Sequence, residues 1–254
     1  MDPVLAFFVI VILLAIHVLW VAFLVDQALP PAGSIDAVAD PSTLNTGDLI
    51  LFRNCVRCHC DGDPLNDAGQ KIYRTLFNTL RHYVIGGCYT HVAIVLRGVN
   101  PLALDEPYIC HIDGGDAMYD AIKQKKVGRR VTVSPIDHVN VRGGTVHVYR
   151  RRFPSGGAPP SSGPDLVGYI RDVQGVEYPK GVVLLITKNA FGVGHHDQGT
   201  QACTDFVEHT MVRLGIIREA SSCATILDIL AYTRTADYDP RPFVVVNRCS
   251  LAGH

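Results

Sequence analysis

The sequence predicts an α+β fold, and three observations lead to that prediction. Several short apolar runs of strand length, bounded by glycine, proline and aspartate, lie between residues 46 and 152. Longer helix-like runs follow a loop rich in proline, glycine and serine at residues 154–164. An uncharged apolar stretch precedes both groups, and it accounts for much of the 48% hydrophobic content. We therefore expect one globular domain with an N-terminal appendage.

The appendage is predicted to be a transmembrane helix. The run from Pro3 to Val25 contains 23 residues, with His17 as its only ionisable side chain, and that length spans a bilayer core. No lysine or arginine precedes the run, unlike a cleaved signal peptide. We interpret residues 1–26 as an uncleaved anchor, although residues 28–32 leave a processing site open. Residues 27–45 then form a linker, and residues 46–254 form a domain on an undetermined side of the membrane.

The elements of the domain are predicted in chain order from apolar periodicity and turn residues. Strands are expected at 47–52, 89–96, 108–112, 130–133, 145–152 and 243–246, and helices near 69–83, 165–174, 203–214 and 225–232.

The charge balance argues against nucleic acid as a partner. Lysine and arginine number 23 against 24 acidic residues, so the net charge is −1 and no overall basic field exists. The arginine triplet at 150–152 ends a predicted strand, and a solvated strand end explains it.

Three of the eight cysteines crowd into residues 55–60, and their chemistry stays open. The string Cys-x-x-Cys-His matches c-type haem attachment. A zinc site would need four ligands, and disulfides would need an oxidising compartment. A cysteine-rich loop without metal is the remaining interpretation, and we expect no cofactor. The candidate zinc ligands are Cys55, Cys58, Cys60 and Cys88, with His59 as an alternative.

A cysteine nucleophile is the leading hypothesis for function. Cys203 opens a helix-like run, where backbone N–H groups and the helix dipole favour the thiolate. His91 opens a strand-like run, so its imidazole has a fixed backbone from which to accept the thiol proton. The competing interpretations are a buried, inert cysteine and a hydrogen-bonded strand-end histidine.

Five segments follow one another in this order along the chain: 47–52, 90–95, the strand at His111, 175–178 and 202–207. This order resembles that of the circularly permuted NlpC-type papain-like proteins. This group includes bacterial permuted amidase-like proteins, poxviral relatives and the lecithin retinol acyltransferase group. The resemblance covers roughly residues 46–232, and it departs at Thr204-Asp205, where relatives often have Ser-Glu.

This resemblance implies a permuted papain-like fold, in which an antiparallel sheet packs on a cysteine-bearing helix. It implies Cys203 as the nucleophile, His91 as the general base and His111 as the orienting residue. Asp113 is the fallback for the orienting role, and Asp48 matches a supporting position close to the cysteine helix. We place His195 in a glycine-rich loop near the mouth of the site.

The activity implied is a thiol hydrolase, meaning a peptidase or amidase, or an acyltransferase acting on a peptide or lipid substrate. A membrane-tethered structural or scaffolding protein is the alternative, for example a virion component of a large DNA virus with structural protein partners. Such a protein would use the same fold without turnover.

Overall fold

The computed structural model describes residues 3–28, 43–53, 89–112, 118–135, 145–153, 165–178, 201–221, 224–235, 237–239 and 243–246. Eight strands and four helices lie within these ranges. The strands are β1 (Leu49–Arg53), β2 (Tyr89–Leu96), β3 (Tyr108–Ile112), β4 (Met118–Asp120), β5 (Lys125–Val127), β6 (Val131–Pro135), β7 (Thr145–Tyr149) and β8 (Phe243–Val246). The helices are α1 (Pro3–Ala28), α2 (Leu166–Val173), α3 (Cys203–Arg213) and α4 (Ile226–Tyr232).

The main sheet has six strands in the order β6-β3-β2-β1-β7-β8, and every described pair within it is antiparallel. The α+β class and the antiparallel sheet are thus confirmed. Strand β1 is central, because Leu49 pairs with Ile94 on one side and with Tyr149 on the other. The predicted helix near 69–83 lies outside the described residues.

The two faces of the main sheet carry separate clusters of apolar side chains. Alternate residues of a strand point to opposite faces. Leu51, Val92 and Ile94 belong to the larger cluster, together with apolar residues of α2, α3 and α4, and we call this side the helix face. Phe52 and Ala93 belong to the smaller cluster, on what we call the opposite face. Both faces of β1 and β2 are therefore buried.

A hairpin of β4 and β5 forms a second, two-stranded sheet that the sequence pattern did not predict. The buried Asp120 carboxylate joins this hairpin to β6, because it accepts the N–H groups of Lys123 at 2.7 Å and Val133 at 3.2 Å. Ser134 Oγ adds a bond to the Tyr119 carbonyl at 2.8 Å. Tertiary hydrogen bonds hold these short strands in place, since each strand has only three residues.

Helix α1 is a continuous run of 26 residues whose described apolar side chains are largely exposed. Phe7, Ile10 and Leu13 are each about three-fifths exposed (63%, 63% and 60%). Its main contact with the other elements is with α4. Among the described residues, a helix both long enough and apolar enough to cross a membrane is not found.

Candidate active site

Cys203 is the first residue of α3, as the sequence predicted, and it lies on the buried side of that helix. The apolar residues Phe206, Val207 and Met211 follow it at helical spacing and pack in the helix-face cluster. Helix α3 contacts β2 and β3, the strands that carry His91 and His111. The Cys203 side chain is only 8% exposed.

The start of α3 has an N-cap residue without a capping side chain and an acidic side chain held by hydrogen bonds. Its N-cap residue is Ala202, whose side chain cannot accept a hydrogen bond from the first-turn N–H groups. Those N–H groups and the helix dipole favour negative charge beside Cys203. The Asp205 carboxylate opposes this effect, but it is directed to backbone N–H groups, accepting from Ala202 at 3.0 Å and Ala224 at 3.2 Å.

His91 and His111 form a hydrogen-bonded imidazole pair. His91 Nε2 lies 2.9 Å from His111 Nδ1, and the two rings meet edge to face with centroids 5.1 Å apart. His91 is half-buried, whereas His111 is buried. One ring donates and the other accepts, so the tautomer of one ring determines that of the other.

The strand register places this imidazole pair on the opposite face. His91 pairs with Phe52, and their ring centroids are 5.1 Å apart. His111 lies two residues from Ile109, a member of the same cluster as Phe52. Cys203 belongs to the helix-face cluster. The structure therefore brings the two histidines together but directs them away from the face on which α3 packs.

The buried imidazole on the helix face is that of His147, which the sequence analysis did not select. His147 pairs with Leu51, and its Nδ1 atom lies 2.5 Å from the Tyr89 hydroxyl. A polar residue inside the apolar run 145–149 was the available signal. Tyr89 belongs to the same apolar cluster as Cys203.

Asp48 has a structural role in the turn that enters β1. Its carboxylate accepts the N–H groups of Asn45 and Arg151, each at 2.8 Å. Burial raises the pKa of this carboxyl, and the two backbone hydrogen bonds counteract part of that effect. These contacts explain Asp48 as a turn residue.

The remaining candidates lie outside the described residues. They are Asp113, His195 and the candidate zinc ligands Cys55, Cys58, Cys60 and Cys88. Within the described ranges, no group of three histidine, cysteine or acidic side chains is placed to hold a metal ion.

Cys110 offers a reference thiol for the candidate nucleophile. It lies on β3 and is fully buried in the helix-face cluster. Burial, assisted by the charge of Asp120, raises the pKa of the Cys110 thiol well above its usual value. Cys110 should therefore react slowly with electrophiles.

No protein-family model matches the chain, and no curated protein matches it.

Proposed function

We propose that the chain is a membrane-anchored thiol hydrolase or acyltransferase with a permuted papain-like domain. The observation that carries this proposal is the His91–His111 pair on β2 and β3, the two strands contacted by the helix that begins at Cys203. The chain order of these parts, histidine strands first and cysteine helix last, supports the permuted arrangement.

The proposed reaction transfers an acyl group through the Cys203 sulfur. His91 accepts the thiol proton, and the sulfur attacks the carbonyl carbon of an amide or ester. The backbone N–H of Cys203 stabilises the oxyanion. Collapse of the tetrahedral intermediate breaks the bond to the amine or alcohol, which takes the proton from His91. Water or another acceptor then cleaves the thioester, regenerating the thiol.

This chemistry requires His91 to meet Cys203 on the helix face. The pairing of β1 with β2 is irregular next to His91, between Phe52 and Arg53. A one-residue displacement of such a bulge turns the neighbouring side chain to the other face of the sheet. The proposal therefore includes movement of this bulge when substrate binds.

An activated acyl probe tests the nucleophile and its base. We expect acylation at Cys203, measured by mass spectrometry of the intact chain, to be lost in Cys203→Ala. Loss of the general base in His91→Ala should slow it by about 10²-fold or more. Cys110→Ala is the matched control and should acylate like the wild type, since Cys110 is buried and its thiol pKa is raised.

The acylation rates decide between a catalytic and a structural role for the domain. A structural role for the fold is favoured by the burial of Cys203 and by the direction of the imidazole pair. If Cys203 acylates no faster than Cys110, the thiol chemistry is wrong and the scaffolding function remains. If His147→Gln slows acylation and His91→Ala does not, the base has been misassigned.

The membrane anchor is proposed from the sequence of residues 3–25, which contains no Lys, Arg, Asp or Glu. We expect the full chain to enter the detergent phase in a detergent-partition assay, and a chain lacking residues 1–30 to remain in the aqueous phase. An arginine at the centre of a spanning helix costs about 2.5–3.5 kcal/mol, so Leu13→Arg should reduce membrane insertion. Equal aqueous partitioning of the full and shortened chains would contradict the anchor.

A further inference from the structure

A cavity of about 640 Å³ lies between the β4–β5 hairpin and the segment at Glu177. We call it the basic pocket, because five cationic side chains line it beside that single carboxylate. The cations are Lys123, Lys125, Lys126, Arg129 and Arg130. Because the five cations lie within eight consecutive residues, such a run can be recognised from sequence alone.

The basic pocket concentrates positive charge in a protein that is nearly neutral. Its five cations against one carboxylate give a local charge of +4, whereas the whole chain carries −1. Lys125 and Lys126 are exposed, so their charges are available to a solute. A concave surface of one sign focuses the electrostatic field and attracts counter-ions.

The walls of the basic pocket are fixed by contacts on both sides. Asp120 holds the start of the hairpin turn through the Lys123 N–H. On the other wall, the Tyr178 N–H donates to the Arg129 carbonyl at 2.7 Å. Arg130 forms an ion pair with Glu177 at 2.8 Å. Little further ordering of the backbone is then needed when a ligand binds.

Two residues that flank β5 have unusual backbone conformations. Gln124 and Arg129 adopt positive φ angles of 51° and 55°, which non-glycine residues seldom occupy. They flank β5, so the left-handed turns bound the strand that carries Lys125 and Lys126. Residues held in such conformations cluster at functional sites.

We propose that the basic pocket binds a ligand bearing phosphate groups, such as a phosphorylated polar headgroup. Arginine presents a planar fork that matches phosphate oxygens, and lysine adds compact positive charge. The volume suits a small headgroup and not a nucleic-acid duplex. None of the described side chains that line it is aromatic, whereas single-stranded nucleic acids are usually held by stacking. This inference does not depend on the thiol chemistry.

Binding to the full chain in neutral detergent micelles tests the proposal. One arm titrates soluble inositol hexakisphosphate, and the other adds phosphatidylinositol 4,5-bisphosphate to the micelles; calorimetry measures both affinities. The double variant K125E/K126E should weaken binding by about tenfold or more, because it reverses two charges. The control R171E/R218E makes the same charge change at exposed arginines outside the pocket and should leave affinity within about twofold.

Two further variants test how the charge of the basic pocket affects binding. E177Q removes the carboxylate that pairs with Arg130, so it should raise the affinity about two- to fivefold. K125Q/K126Q should show an intermediate loss, which covers the case in which charge reversal harms folding. Binding of both ligands supports a phosphate site in general, and binding of the lipid alone supports a membrane headgroup. The proposal would be overturned if K125E/K126E and R171E/R218E lost equal affinity. It would also be overturned if a single-stranded RNA oligonucleotide bound more tightly than the two phosphate ligands.

Discussion

Phe206→Ala should lower the free energy of unfolding by about 3–5 kcal/mol, the largest effect expected for a single substitution in the domain. Phe206 is fully buried at the end of the first turn of α3 and packs in the helix-face cluster. Removing its ring leaves a cavity between the helix and the sheet, which the neighbouring strands cannot fill without breaking their pairing. Urea denaturation followed by circular dichroism, with the full chain in neutral micelles, measures this loss.

Two variants on α3 check the physical cause. Phe206→Leu keeps most of the volume and should cost less than half as much. Val212→Ala lies on a half-buried part of the same helix and should cost about 1 kcal/mol. If Phe206→Ala costs no more than Val212→Ala, α3 does not pack on the sheet as described.

Asp205→Ala should lower the free energy of unfolding by about 2–4 kcal/mol, because it leaves two backbone N–H groups without their acceptor. These groups belong to Ala202, before α3, and Ala224, before α4. Asp205 is itself buried, so water cannot easily replace the lost contacts. The same denaturation experiment measures the change.

The Asp205 variant also bears on the candidate nucleophile. Because Asp205 fixes the residue before Cys203, its loss should loosen the start of α3 and expose the thiol to alkylating reagents more often. Asp228→Ala removes a similar first-turn carboxylate from α4, where Thr225 donates to it, and should cost only about 1 kcal/mol. Equal losses of unfolding free energy in Asp205→Ala and Asp228→Ala would show that the burial of Asp205 adds nothing to its stabilising effect.

The sequence predicted those elements whose apolar runs are long and sharply bounded. The observed bounds of β2, β3 and β8 match the predicted ones, and α3 begins at Cys203 as expected. These runs are bounded by turn residues, and their burial agrees with their local propensity.

The β4–β5 hairpin could not be predicted by the same reasoning. Its strands have three residues each, and β5 is basic and mostly exposed, so apolar alternation is missing. Its stability depends on Asp120, whose partner Val133 lies on another strand. A contact of this kind depends on tertiary structure and leaves no local pattern.

The face of the sheet on which the His91 side chain lies could not be predicted from the sequence either. Strand β2 is buried on both faces, so its apolar run does not show which side each residue occupies. The irregular pairing next to His91 then decides the face. The sequence could name the candidate cysteine and histidines, but not the side of the sheet on which each would lie.

The central position of β1 has a consequence for synthesis of the chain. Leu49 pairs with Ile94 and with Tyr149. The partner of the second edge of β1 is therefore synthesised about 100 residues after Leu49. At about 5–20 residues per second, that delay lasts roughly 5–20 s. During this interval the nascent chain presents an apolar strand with an unpaired edge, which other strands can capture. The strand at the centre of the finished sheet is thus one that needs chaperone protection on the ribosome.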